Sequence, residues 1–210
     1  AQWTTKETEK MVPRLSHRLA DGRVRRCHGD LHLKNMIQFN GQIHAFDGIE
    51  FNENFQWIDV LSELAFPVMD FIARGRPDLG WRLLNAWLED SGDYLGLDVF
   101  RFYLVYRAMV RVKVSLLNTE STTNQGMAAD LSHPVWEKYL QTARFFASGL
   151  QPRLSITHGF SGSGKSTVAM KLIESEGGIR IRTDAERHRR FDELQSTDIH
   201  ATAISTAHGK

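Results

Sequence analysis

Apolar positions along the chain fall into two rhythms, one of period 3.6 and one of period 2. From Thr4 to Ala20 they recur at helical spacing through Met11, Val12, Leu15 and Leu19; Thr4 or Thr5 is available as a cap, Glu7 and Glu9 suit the first turn, and Gly22 is a stop. Pro13 lies inside that pattern and predicts a kink, because proline removes a helical hydrogen bond. A short strand from Arg23 to Arg26 follows. Two apolar runs, Met36 to Phe39 and Gln42 to Phe46, then flank Asn40-Gly41. A two-residue turn with two positive φ angles favours this pair, so the segment predicts a hairpin. Phe39 would face Gln42, Gln38 would face Ile43, Ile37 His44, and Met36 Ala45. That register sets Asn35 opposite Phe46 and beside Asp47.

Helical rhythm returns from Trp57 to Ala73, where Trp57, Val60, Leu61, Leu64, Val68, Phe71 and Ile72 cover more than half the circumference, which predicts burial on most sides. Pro67 again predicts a kink. After a break at residues 74–78, helices are expected over Leu79 to Asp90, Leu97 to Asn118 and His133 to Ser148, with Glu120 to Asp130 as a loop and Pro134 at a helix start. Arg107 and Arg111 stand one helical turn apart, which reads as a solvated or salt-bridged face; binding of an anion is the alternative. Beyond a linker at Gly149 to Arg153 the chain changes character. A strand (Leu154 to His158), a glycine-rich loop, a helix (Val168 to Glu174) and a second strand (Ile179 to Arg182) are expected in turn.

Composition narrows the class. The 210 residues are 41% apolar with a net charge of +1, as in a soluble globular protein, and no clustered basic face marks a nucleic-acid partner. The single cysteine, Cys27, cannot pair internally and reads as a small buried hydrophobe. No signal-peptide pattern and no membrane-length apolar run is found, so a cytoplasmic setting without a membrane partner is the expectation.

The candidate chemistry sits at two places. At the first, the hairpin register brings the Asn35 carboxamide beside the Asp47 carboxylate, and Asp30 lies on a loop that bends over the same end. Asn35 and Asp47 are hard oxygen ligands of the kind Mg²⁺ accepts while it also holds phosphate, and a separate Asp can take a proton from a hydroxyl. The alternative is an ordinary hairpin preceded by a polar loop. At the second, Gly159-Phe-Ser-Gly-Ser-Gly-Lys-Ser-Thr167 matches a P-loop in its strand–loop–helix setting. Backbone amides around Gly159, Ser161, Gly162, Ser163 and Gly164 would converge on phosphate at a helix N-terminus, with Thr167 closing the motif. Lys165 would reach the β/γ-phosphates and Ser166 would ligate Mg²⁺.

The motif HGDLHLKN at residues 28–35, Asp47-Gly-Ile-Glu and Trp57-Ile58-Asp59-Val60 together resemble the aminoglycoside phosphotransferase-like branch of the kinase fold. That resemblance implies Asp30 as catalytic base, Asn35 and Asp47 as Mg²⁺ ligands, His28 as a structural loop residue, and Asp59 as a buried acceptor bracing the catalytic loop. The amides of the loop would be the donors to Asp59; an exposed helix-start aspartate is the alternative. Lys34 is open to either phosphate or solvent. The stretch after residue 149 resembles small P-loop kinases, in which Asp184 and Arg187 would hold the phosphoryl acceptor; a helix cap with a solvated arginine is the alternative. The order of the two is similar to a bacterial family that joins a phosphotransferase-like domain to a P-loop kinase-like domain.

The implied fold class is mixed: a mainly α C-lobe of a protein-kinase-like fold with a small β-hairpin over residues 1–149, then an incomplete α/β P-loop segment over residues 150–210. Both ends are expected to be cut, since no glycine-rich loop or strand lysine precedes residue 28 and no Walker B strand follows the P-loop. The implied activity is transfer of the γ-phosphoryl group of ATP, with Mg²⁺, to a hydroxyl of a small molecule. Chemistry at Lys165 and Asp184 instead, or a nucleotide-binding module without turnover, are the rivals. An acidic pocket for an aminoglycoside is not evident, Glu50, Glu53 and Asp70 being only weak candidates. Oligomeric state is not legible.

Overall fold

The computed structural model describes residues 2–124, 135–149 and 151–191. It is mostly helical. Helix α1 (Gln2–Ala20) includes Pro13, and strand β1 (Val24–Arg26) follows. The hairpin is β2 (Met36–Phe39) and β3 (Gln42–Ala45), in the register read from the sequence, with φ of 51° at Asn40 and 76° at Gly41 as the turn demands. The helical block comprises α2 (Val60–Ala73), α3 (Pro77–Ser91), α4 (Leu97–Asn124) and α5 (Val135–Ala147). Helix α6 (Lys165–Glu176) belongs to the P-loop stretch, and residues 183–191 are helical.

Helix α2 is the axis of the core. Leu61, Ala65, Phe66, Val68 and Met69 on it are fully buried, and they pack against Leu84 and Leu88 of α3, Val99, Leu104 and Ala108 of α4, and Tyr139 and Phe146 of α5. Each large side chain so buried contributes about 2 kcal/mol. The broad apolar face read from the sequence is therefore used on three sides.

Its start differs from the expectation. Trp57–Asp59 is not helical but a strand, β4, paired antiparallel with β1 so that Val24 faces Asp59 and Arg26 faces Trp57. The helix begins only at Val60 because Asp59, extended with ψ of 132°, accepts the Leu61 amide as an N-cap. A three-residue strand inside an apolar helical rhythm has no period of its own to reveal it. Helix α4 likewise runs on to Asn124 through part of the expected loop, while His133 and Pro134 lie outside the described residues.

The two expected strands of the P-loop stretch are not formed. Residues 154–158 and 179–182 are irregular, and Leu154 and Ile156 are almost fully exposed. A strand needs a neighbour to satisfy its backbone, and these segments have none among the described residues.

Candidate functional site

The loop from His28 to Asn35 is held from two sides. Glu63, in the first turn of α2, accepts the His28 amide at 2.8 Å and the Gly29 amide at 3.2 Å. Arg107 of α4 donates Nη1 to the Gly29 carbonyl at 3.1 Å and Nε to the Ser62 carbonyl at 3.1 Å, with its guanidinium 4.7 Å from the Phe66 ring centre. Burial pushes the Glu63 carboxyl up, against the pull of Arg107 and the two amides, and burial pushes Arg107 down. Gly29 is required here: its φ is +85°, and a Cβ would stand 2.9 Å from the Phe55 carbonyl oxygen and 3.0 Å from Ile49 Cδ1.

These partners correct two expectations. Asp59 is a buried acceptor, but its donors are not the loop amides. It takes Arg18 Nε at 2.5 Å and Nη2 at 2.8 Å, Tyr103 Oη at 3.1 Å and the Leu61 amide at 2.9 Å. Arg18 also bonds Asp93, so this cluster ties α1 to α2 and to the start of α4. Burial by itself would lower Arg18, yet its bonds to Asp59 and Asp93 leave it raised. Arg107 and Arg111 are the second correction. They are 6% and 9% exposed, not a solvated or salt-bridged face, and Arg107 reaches backbone carbonyls. Glu63 is the brace the sequence reading passed over; a carboxylate four residues beyond an N-cap Asp reads as an ordinary helix-start charge.

The hairpin brings its three expected site residues together. The Phe46 amide donates to the Asn35 carbonyl at 3.0 Å, so Asn35 lies where the register set it. Its Nδ2 lies 3.1 Å from the Asp30 carbonyl, 3.4 Å from Asp30 Oδ2 and 3.3 Å from the Asp47 carbonyl. With the amide nitrogen so engaged, Oδ1 is the ligand atom Asn35 can offer. Asp47 is exposed and takes φ of +59°, a left-handed conformation that costs about 1 kcal/mol in a non-glycine residue and recurs at functional positions. His28 joins the loop to the end of β3: its Nδ1 accepts the Asp30 amide at 3.4 Å, which leaves Nε2–H to donate to the Phe46 carbonyl at 2.8 Å.

Asp30 is half-buried with His32 Nε2 3.4 Å from Oδ2. His32 foremost, then Arg111 and Arg107, hold its carboxyl below the ordinary range although burial opposes them. Among the described residues no three His, Cys, Asp or Glu side chains form a cage for a metal. One carboxylate and one carboxamide suit Mg²⁺, which keeps waters and completes its shell with substrate phosphate. Cys27 is half-buried, and burial foremost pushes its thiol up to about 11, away from thiolate character at neutral pH.

In the P-loop, Gly162 and Gly164 take φ of 78° and 83°, and α6 starts at Lys165. Lys165 Nζ folds over the loop and donates to the carbonyls of Gly159 (2.8 Å) and Phe160 (2.6 Å), while Ser161, Gly162, Ser163, Ser166 and Thr167 are exposed. Asp184 lies in the helical stretch 183–191 and pairs with Arg182 at 2.6 Å; Arg187 is exposed. This segment docks on α3. Asn85 takes the Arg180 amide at 2.6 Å and donates to the Gly178 carbonyl at 2.8 Å, and Glu89 pairs with Arg180 and Arg182, each at 2.7 Å.

Comparison with known proteins agrees with this part. Residues 154–208 match the family model described as an AAA domain, which supports the P-loop reading of that stretch. Over 176 residues the chain is 31% identical to an uncharacterized protein of Mycobacterium tuberculosis and to one of Mycobacterium bovis. The match takes in 83% of this chain and 34% of each relative, so the chain spans about a third of the length of the curated relatives it matches. No solved structure matches. No helix among the described residues is long and apolar enough to cross a membrane.

Proposed function

We propose that the protein is a phosphotransferase of the kinase-fold type that moves the γ-phosphoryl group of ATP to a hydroxyl of a small molecule at the hairpin site. The observation that carries the reading is the approach of Asn35 Nδ2 to the Asp30 and Asp47 carbonyls and to the Asp30 carboxylate, which puts a base and two oxygen ligands at one end of one hairpin. Asp30 accepts the proton of the acceptor hydroxyl as the new O–P bond forms and the bond from the γ-phosphorus to the bridging oxygen breaks, releasing ADP. Its lowered pKa keeps it unprotonated at neutral pH and suits it to orienting the hydroxyl more than to strong base catalysis. Asn35 and Asp47 would hold Mg²⁺, which when bound neutralises charge on the phosphates. Glu63 and Arg107 fix the loop, as positioning residues.

A second reading puts the chemistry at Lys165 and Asp184, and the AAA-domain match favours it. The two separate on one experiment in the intact protein, ATP-dependent phosphorylation of an acceptor panel by Asp30→Asn and Lys165→Ala variants. Loss of turnover with Asp30→Asn and retention with Lys165→Ala supports the hairpin site. The reverse supports the P-loop, and nucleotide binding without product in any form leaves a regulatory module.

A further inference from the structure

Next to the hairpin site lies a group of cations that the phosphoryl-transfer machinery does not use. Asp70 is fully buried and is the shared anchor: it accepts the Leu33 amide at 3.0 Å, Arg74 Nε at 3.0 Å and Tyr139 Oη at 2.8 Å. Three cations other than Arg74 gather round that anchor. Lys34 follows Leu33 directly and is exposed. Arg111 and Lys138 both approach the Tyr139 ring, at 5.6 Å and 5.2 Å from its centre. Arg111 is 9% exposed, and its Nε meets no hydrogen-bond partner among the described residues. Burial foremost, then the same-sign charges of Arg74, Lys34 and Arg111, depress Lys138, against the single carboxylate of Asp70. The group also reaches the base, because Arg111 is one of the charges that lower Asp30.

Four cations beside the Asp70 and Asp30 carboxylates leave a net positive potential, and a buried guanidinium nitrogen without an acceptor is costly unless a ligand completes it. Lys34 is followed directly by Asn35, and Leu33 before it is bonded to Asp70, so the group borders the hairpin site. A polycation would be repelled there.

We propose that Lys34, Arg74, Arg111 and Lys138 form the acceptor subsite of the reaction and select an alcohol that carries an anionic group, a carboxylate or a phosphate ester. This rests on the hairpin-site reading above. The shared chemistry is an oxyanion gripped by charge-assisted hydrogen bonds from guanidinium and ammonium donors.

The test uses the intact protein and four small alcohols: glycerate, glycerol 3-phosphate, neutral glycerol and cationic choline. Turnover with glycerate or glycerol 3-phosphate well above that with glycerol or choline is expected, and which of the two wins tells carboxylate from phosphate ester. In Lys34→Ala/Lys138→Ala the KM for the preferred anion should rise about 10-fold or more, with kcat and the KM for ATP within about 2-fold, since each tenfold step is about 1.4 kcal/mol. Preference for choline or glycerol, or a rise in the KM for ATP instead of the acceptor's, overturns the inference. Arg111→Lys, which keeps the buried charge, serves where Arg111→Ala fails to fold. Failure of the underlying reading is separable: if product formation survives Asp30→Asn, that reading falls. Calorimetric binding of glycerol 3-phosphate in a Lys165→Ala background, with the P-loop silenced, then decides the subsite by itself. Binding lost with Lys34→Ala/Lys138→Ala supports it, and binding unchanged overturns it.

Discussion

At the scale of single residues, the loop of the site is held by buried side chains bonded to its backbone. Glu63 accepts two amides, so Glu63→Ala leaves both the His28 and Gly29 N–H groups without an acceptor and should cost about 1–3 kcal/mol, read as a lower urea midpoint. Arg107→Ala removes the donor to the Gly29 carbonyl and a second donor to the Ser62 carbonyl, and Arg107→Lys should recover little, because an ammonium cannot span two carbonyls in the plane of a guanidinium. Asp30 gives a pH signature. Its folded pKa lies below the ordinary value of 3.8, so its contribution to stability is present above that value and is lost as pH falls through the folded pKa. Asp30→Asn should therefore flatten the acid limb of stability against pH; urea midpoints at about pH 5 and about pH 2.5 that fall equally in both proteins would contradict this. The meeting of Asn35 with the start of the Asp47 loop was legible in the sequence because a short hairpin has one register, whereas Asp30 was placed by its motif. Glu63 and Arg107 were not, because their partners lie 34 to 78 residues away in the chain.

At the scale of elements, α2 does two jobs that the apolar pattern shows only in part. Its buried face was legible from spacing, whereas its start was not, since β4 exists only through pairing with β1. The Arg18, Asp59, Asp93 and Tyr103 cluster joins α1, the start of α2 and the turn before α4. Breaking a buried ion pair by removing one partner costs about 3–5 kcal/mol, so Asp59→Ala should lower the melting temperature sharply and release α1 first in hydrogen exchange. The loss should exceed that of Glu89→Ala, whose carboxylate is partly exposed and whose pairs are worth under about 1 kcal/mol each.

At the scale of the whole molecule, a helical block carrying the hairpin site and a P-loop stretch are joined through α3. The P-loop motif was legible because glycine spacing dictates it, and the family match agrees. Its flanking strands were overcalled: their apolar alternation is real, but a strand without a neighbour has nothing to bond with. The docking of residues 178–182 on Asn85 and Glu89 was hidden for the opposite reason, since it depends on two polar side chains on an otherwise ordinary helix. Asn85→Ala should therefore speed amide exchange at Arg180 more than anywhere in the hairpin. As proposed, Asn35 and Asp47, not the P-loop alone, would hold the metal of the nucleotide. The most direct measurement is paramagnetic broadening by Mn²⁺-ATP, followed by NMR in the intact protein carrying Lys165→Ala. Resonances of Asp30, Asn35 and Asp47 are expected to broaden first, and Asp47→Ala to abolish the effect. Broadening confined to residues 159–167 in the wild type, and absent everywhere once Lys165 is replaced, would contradict it.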